Sequence, residues 1–375
     1  MSGKARGVGL ALAGALLALG AYGLGRHQGA AGRGGASRPS VSLYPTRACP
    51  DEKEEAAHVC GLPPSVPSSF APTVAEAAGT RKELERLREA ARGGGLDRPS
   101  ALNALQEFVV SALGEGRLSP AELIEMFRSE TDAAVLDVLQ GSLALQPEAA
   151  EASGVKEAFL EIARAEGLAA RRQAAIAFLG TAWDRDGRVL DALVGLARAE
   201  GAGEIRLSAL GALASYAVKN AERSADVNAA LLDVAARPAP DEIRQQAVAS
   251  LDIRSAGEAA VRRLSGFLAD TSPEVRGAAA DKLGQAPPER RAEALAALEA
   301  ALNREGDPVL RRSLLDNLVR CGRGDAAGAL ERLVARSPDL KADAEEYLAV
   351  VRAGHADWEE ILDEKGRLEA RRAGR

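Results

Sequence analysis

The stretch that decides the fold is SPEVRGAAADKLGQ, residues 272–285. It opens with Ser272 and Pro273, a side chain that can cap a helix followed by the residue favoured at the first helical position. From Val275 onward, small or apolar residues stand at offsets of four, five and eight. These offsets lie on one stripe of an α-helix, so the stretch predicts a helix that buries a single face.

This register recurs at intervals of 30 to 38 residues. The copies begin at Val135, Ala170, Ile205, Ile243, Val275, Leu310 and Leu340. The copy at Val135 is weaker, and Glu345 interrupts the last one. A second apolar series lies upstream in each unit, at Phe159, Leu193, Leu231, Leu264, Leu298 and Leu330. Each unit therefore holds two helices, and a repeat of this length predicts a helical array.

The predicted fold is all-α: a right-handed α-solenoid of about seven antiparallel helix pairs. Helix starts are marked by a capping residue before proline, at Ser119-Pro120, Ser272-Pro273, Asp307-Pro308 and Ser337-Pro338. Ser119 with Glu122 has the spacing of a capping box. Residues 79–375 are predicted to form this domain, with a capping helix at its C-terminal end.

The pattern apolar-Arg-x-x-Ala-x-x-x-Leu-Gly, fullest from Val275 to Gly284, resembles HEAT repeats, especially the short repeats of phycobilisome lyases. The resemblance covers about residues 100–353. It implies that the second helix of each unit lines a concave face, and that the repeated arginine pairs with acids of adjacent units. The residues concerned are Arg171, Arg206, Arg244, Arg276 and Arg311. Nearby acids favour this structural role over a row of anion-binding sites: Glu166, Glu204, Asp241, Asp270 and Asp307.

Composition narrows the possible partners. The net charge is −6 with both signs interleaved, whereas nucleic-acid binding proteins usually present a basic face. We therefore expect a protein partner and no nucleic acid. On the concave face we expect positions two, three and six of the register, including Arg172, Gln173, Gln245, Gln246, Asp281, Arg312 and Asp316. Trp183 and Trp358 are interpreted as packing residues, with an interface role as the alternative.

The N-terminus predicts export. Lys4 and Arg6 precede an uncharged apolar run over residues 7–25, which is long enough to approach the width of a bilayer core. Residues 1–26 are thus a membrane anchor or a cleaved signal peptide. The Gly-, Pro- and Ser-rich residues 27–78 are predicted to be a flexible linker.

The linker contains Cys49 and Cys60, which we expect to form a disulfide in an oxidising compartment. Free thiols, or a metal site that includes His58, are the alternatives. This pair favours placing the domain in the periplasm, where it is either anchored to the inner membrane or free after cleavage. The excess of arginine over lysine is typical of GC-rich bacterial genomes.

No residue pattern predicts catalysis, a cofactor or a metal. The three histidines, His27, His58 and His355, lie outside the repeats, and Cys321 is interpreted as a small core residue. The segment Asp184–Gly187 lacks the closing glutamate of a calcium loop and is predicted to be a turn. We expect a non-catalytic scaffold in the bacterial envelope. The alternatives are a cytosol-facing adaptor on the same anchor and a lyase-like enzyme.

Export is tested by fusing, after residue 80, a reporter enzyme that is active only outside the cytosol. We expect an active reporter, because residues 1–26 should carry the chain across the inner membrane. The control is the same fusion without residues 1–26, which should be inactive. An inactive full-length fusion at normal abundance would instead support the cytosol-facing adaptor.

Overall fold

The computed structural model describes residues 74–93, 97–184, 187–355 and 357–373, and these residues form helices without a β-strand. The first helices are α1 Val74–Arg92, α2 Arg98–Gly114, α3 Pro120–Ser129, α4 Ala133–Ala144, the short α5 Pro147–Ala150, and α6 Val155–Arg164. They are followed by α7 Ala169–Gly180, α8 Arg188–Arg198, α9 Gly203–Lys219, α10 Ser224–Ala236, α11 Asp241–Ala249 and α12 Glu258–Gly266. The last are α13 Pro273–Gly284, α14 Arg291–Leu302, α15 Pro308–Gly322, α16 Ala327–Arg336, α17 Lys341–Arg352 and α18 Trp358–Ala373.

The helices stack as pairs, which fits a solenoid. Seven pairs match the predicted units: α3–α4, α6–α7, α8–α9, α10–α11, α12–α13, α14–α15 and α16–α17. The second helices α2, α4, α7, α9, α11, α13 and α15 each contact the next along the row. Helices α1 and α2 form a further pair at the N-terminal end, and α1 begins within the segment predicted as linker.

The apolar register predicted from the sequence forms the core. In α13, Val275, Ala279, Ala280 and Leu283 are completely buried, and the equivalent residues of α9, α11 and α15 are buried as well. The upstream series is also buried: Phe159, Leu193, Leu231, Leu264, Leu298 and Leu330. Each second helix therefore packs against its own first helix through the same stripe of residues.

Local side chains determine where several helices begin. The Ser119 hydroxyl accepts from the Glu122 N–H while the Glu122 carboxylate accepts from the Ser119 N–H, which confirms the capping box. Asp307 caps α15 by accepting from Val309 and Leu310. The start expected at Ser337-Pro338 is wrong, because residues 338–340 form a turn and α17 begins at Lys341.

A glycine at the end of α7 lies directly against the backbone of the neighbouring second helix, α9. A Cβ on Gly180 at the end of α7 would lie 2.8 Å from the carbonyl oxygen of Ala212 and 2.9 Å from its Cα, both in α9. Those atoms belong to backbone and cannot rotate away. Gly180 therefore sets the spacing between α7 and α9.

Several expectations concern residues outside the described part of the chain: the apolar segment 7–25, the linker up to residue 73, and the Cys49–Cys60 pair. Among the described residues, no helix is long and apolar enough to cross a membrane. The handedness of the superhelix remains a prediction.

The spacing role of Gly180 predicts opposite effects for two Gly→Ala substitutions. Gly180→Ala should lower the free energy of unfolding by about 1–3 kcal/mol, because the methyl group overlaps the α9 backbone. Gly211→Ala, in α9 with nothing within 4 Å of its Cβ position, should raise it by about 0.5–1 kcal/mol through helix propensity. Urea denaturation followed by circular dichroism compares the two. Equal shifts in the same direction would contradict the close approach.

Candidate protein-interaction face

The candidate interaction surface, called here the second-helix face, consists of positions two, three and six of the register in the second helices. In the middle of the stack, two glutamines of this face are available for binding. Gln245 is exposed and Gln173 half-buried, and within the described residues neither makes a hydrogen bond. Gln246 donates to the Ser250 hydroxyl one turn later. Amides with open donor and acceptor groups suit recognition of another polypeptide.

Toward the C-terminal end, the same register positions connect successive second helices. Asp281 of α13 accepts from Arg320 of α15 at 3.1 Å. Arg312 donates to Asp343 of α17 at 3.3 Å, although 70% of the Arg312 side chain is exposed. The three predicted face residues in this half, Asp281, Arg312 and Asp316, are therefore part of polar bridges between units.

Asp316 is the most enclosed of these face residues. The Tyr347 hydroxyl of α17 donates to Asp316 Oδ1 at 2.7 Å. Burial raises the pKa of the Asp316 carboxyl, although this hydrogen bond acts in the opposite direction. Burial likewise raises the pKa of Tyr347, and the Asp316 charge adds to that shift. The two side chains therefore form a largely buried hydrogen bond that links α15 to α17.

The repeated arginines point away from this face, toward the turns between helices. Arg171 donates to the carbonyl oxygen of Glu130 at 2.6 Å, and Arg206 donates to that of Ala197 at 3.2 Å. Arg172, predicted to lie on the face, donates to the Ala163 carbonyl at 3.1 Å. In the N-terminal half, these side chains therefore satisfy backbone carbonyls near helix ends.

In the C-terminal half, the arginines form a continuous series, called here the arginine ladder. Arg244 donates to the carboxylate of Asp270, whose carbonyl oxygen accepts from Arg276 at 2.9 Å. Arg276 in turn binds both carboxylate oxygens of Glu305, at 2.8 and 3.1 Å. The Glu305 carbonyl then accepts from Arg311 at 3.0 Å.

Arg311 ends the ladder by binding the carboxylate of Asp339. Its hydrogen bond lowers the pKa of Asp339, and that of Arg276 lowers the pKa of Glu305. Among the acids expected as partners, Asp241 and Asp270 contact Arg244, whereas Asp307 caps α15. Glu166 and Glu204 are exposed and, in the described residues, receive no bond from the ladder.

A further arginine–carboxylate centre, which the repeat pattern did not predict, joins α1 to the stack. The side chain of Glu130 is 0% exposed and accepts from Arg88 at 2.8 Å and from Arg92 at 2.9 Å. Burial alone would raise its pKa, but hydrogen bonds from Arg92, from the backbone and from Arg88 outweigh it and lower the pKa to about 2. Glu130 is therefore a buried carboxylate that stays ionised.

Acidic groups gather where α17 meets α18. Carboxylate oxygens of Asp343, Glu346 and Glu369 lie within 4.8 Å of one another, a separation that could hold a cation. Cationic side chains already reach this group: Arg312 binds Asp343, and Arg372 of α18 binds Glu346 at 3.0 Å. These contacts neutralise the acids within the protein itself.

The two tryptophans have different surroundings. Trp358 is half-buried and stacks on Tyr347, with ring centroids 6.5 Å apart, which agrees with packing. Trp183 is 46% exposed, and Lys219 Nζ lies 4.7 Å from its ring centroid. The adjacent turn is built by Asp184, which accepts from the N–H groups of Gly187, Val189 and Leu190 and so begins α8.

Comparison with known proteins gives one family match. Residues 228–319, from α10 to α15, match the family model for HEAT repeats. No curated protein matches the chain. A solved structure described as "Computational Design of Self-Assembling Cyclic Protein Homooligomers" is 16% identical over 79% of this chain and 96% of that chain, with a TM-score of 0.13. A TM-score this low supports no structural conclusion.

The matched segment lies within the stack of helix pairs, and the pairs on both sides of it bury the same register of apolar residues. The family match shows HEAT repeats at residues 228–319, and the helical repeat architecture on both sides of them supports a HEAT-repeat protein.

Proposed function

We propose that this chain is a non-catalytic scaffold that binds a protein partner along its second-helix face. The observation that supports this is the repetition of the face. Second helices from α2 to α15 lie side by side, so equivalent positions form a surface that runs along the stack. A repeat array of this kind offers an extended binding surface instead of a single closed pocket.

The chemistry of the middle of this surface favours a polypeptide. Gln173 and Gln245 provide amide groups that can both donate and accept, and Gln245 is exposed. Such groups can pair with the backbone or polar side chains of a bound segment. Exposed aliphatic side chains lie elsewhere, at the ends of second helices, where Leu145 is 59% and Val218 81% exposed.

The proposed location is the bacterial cell envelope. Residues 7–25 would hold the chain in the inner membrane, and the linker would separate the repeat stack from the bilayer. The support is the uncharged apolar run followed by a Gly-, Pro- and Ser-rich segment. With a cleaved signal, the same stack would be free in the periplasm.

The scaffold proposal is tested by placing a photo-crosslinking amino acid at Gln245 in the full chain. We expect a specific crosslinked protein, because Gln245 is exposed on α11 with no hydrogen bond within the described residues. The matched control is Ala229, an exposed position on α10, the first helix of the same pair. Crosslinking of equal yield from both positions would indicate non-specific contact.

The captured protein is then purified and its affinity measured directly. Gln245→Trp should weaken binding by about tenfold or more through steric conflict, and Ala229→Trp should leave it unchanged. Equal affinity of the two variants would place the interface elsewhere and contradict the proposed surface.

A further inference from the structure

Helix α18 covers the C-terminal end of the second-helix face. Arg372 of α18 forms an ion pair with Glu346 of α17 at 3.0 Å, and Lys365 Nζ lies 4.9 Å from the Tyr347 ring centroid. Glu346 is six residues after Leu340, the same register position that Asp281 and Asp316 occupy in their units. Helix α18 therefore contacts the surface that sequence analysis assigned to a partner.

Five of the residues by which α18 contacts the stack lie on one stripe: Trp358, Ile361, Lys365, Leu368 and Arg372, with spacings of three, four, three and four residues. Beside this stripe, Glu369 brings a carboxylate of α18 within 4.8 Å of those of Asp343 and Glu346. Ile361 is completely buried, and Trp358 and Leu368 pack against the core. This spacing is that of a helix seated in a groove between other helices.

The surface beneath α18 is acidic, and one of the two arginines that neutralise it, Arg372, belongs to α18. Asp343 and Glu346 lie close together on α17, and Tyr347 of the same helix donates to Asp316 of α15. Within the described residues, Glu346 Oε2 is buried without a hydrogen-bond donor. From α18, Arg372 pairs with Glu346, and Lys365 lies over the Tyr347 ring while it pairs with Glu369 of its own helix. A helix with apolar residues and two basic residues on one stripe is therefore complementary to this end of the face.

Helix α18 is also the least embedded helix of the C-terminal region. Among the described side chains of α18 only Ile361 is fully buried, and the opposite side is charged and exposed, as at Asp363, Arg367 and Arg371. Helices with few buried apolar contacts open at lower free energy than the rest of a fold. Helix α18 can therefore leave while the repeat stack stays folded.

We propose that the acidic end of the second-helix face, formed by Asp316, Asp343 and Glu346, is a docking site for a basic amphipathic helix of a protein partner, and that α18 is a built-in competitor for this site. This deepens the proposed scaffold function and rests on it. While α18 is bound, a partner helix must first displace it, and its apparent affinity is lowered accordingly. We expect the partner helix to carry apolar, apolar, basic, apolar and basic residues in that order, separated by three, four, three and four residues as in α18.

The probe is a labelled synthetic peptide with the sequence of residues 357–373, added to the full chain. A release variant, Ile361→Asp with Arg372→Glu, removes the buried contact and the ion pair of α18. We expect it to bind the peptide at least about tenfold more tightly than the natural chain does, since the tethered competitor is weakened. The control variant, Ala370→Asp with Arg371→Glu, changes the same charges at exposed positions and should behave like the natural chain.

Charge specificity is tested in the release variant by adding Glu346→Arg. The natural peptide should then bind at least about tenfold more weakly, and a peptide carrying Arg372→Glu should recover the affinity. Loss without recovery, or equal peptide binding by the release and control variants, would overturn the proposal.

A measurement on the natural chain avoids variants altogether. Hydrogen exchange should be faster in the amides of α18 than in those of α17, because α18 opens locally. Exchange at the same rate in both helices would show that α18 opens only with the whole stack, which also overturns the proposal. None of these experiments uses the natural partner, so their failure would not contradict a crosslink at Gln245. In the same way, failure of the crosslinking experiment would not contradict peptide binding beneath α18.

Discussion

The stack depends on the bridges that buried or half-buried arginines make across unit boundaries. The apolar side chains of a single helix pair cannot all be buried within that pair, so each unit needs the units on either side of it. In two turns of the C-terminal half, one acid accepts through two groups: its carboxylate binds the arginine of the preceding unit, and its carbonyl oxygen binds the arginine of its own unit. Asp270 and Glu305 both do this. The ladder thereby couples the orientation of one helix pair to that of the next. Removing the arginine or the acid of a ladder contact would leave the charge of the other side chain poorly solvated.

Much of the fold could be predicted because it depends on local periodicity. The register beginning at Val275 identifies buried residues without any knowledge of distant contacts, and the Ser119–Glu122 capping box is fixed by a spacing of three. The ladder acceptors were harder to predict. Glu305 and Asp339 lie 29 and 28 residues from their arginines, and their identity depends on how far each turn is displaced along the stack. The Arg88–Glu130 contact, 42 residues apart, has no repeated signal at all.

The same limit applies to the candidate site. Register positions two, three and six were expected to be free, yet a helix in a stack has two flanks as well as an outer surface. Asp281 and Asp316 lie close enough to the next second helix to accept from Arg320 and Tyr347. Whether a face residue is bound by the next helix depends on the lengths of the side chains on that helix. The register of one helix does not reveal those lengths. Among the described residues, no such neighbour reaches the amides of Gln173 and Gln245.

The second-helix face consequently has two regions of different chemistry. Its middle offers neutral amides, whereas its C-terminal end is acidic and carries α18. A partner segment confined to the middle would bind at full affinity whether or not α18 is in place. One that extends to Glu346 would gain charged contacts but would have to displace Arg372 and the buried Ile361. The length of the bound segment, more than its affinity for either region alone, would then decide whether binding is coupled to release of the C-terminal helix.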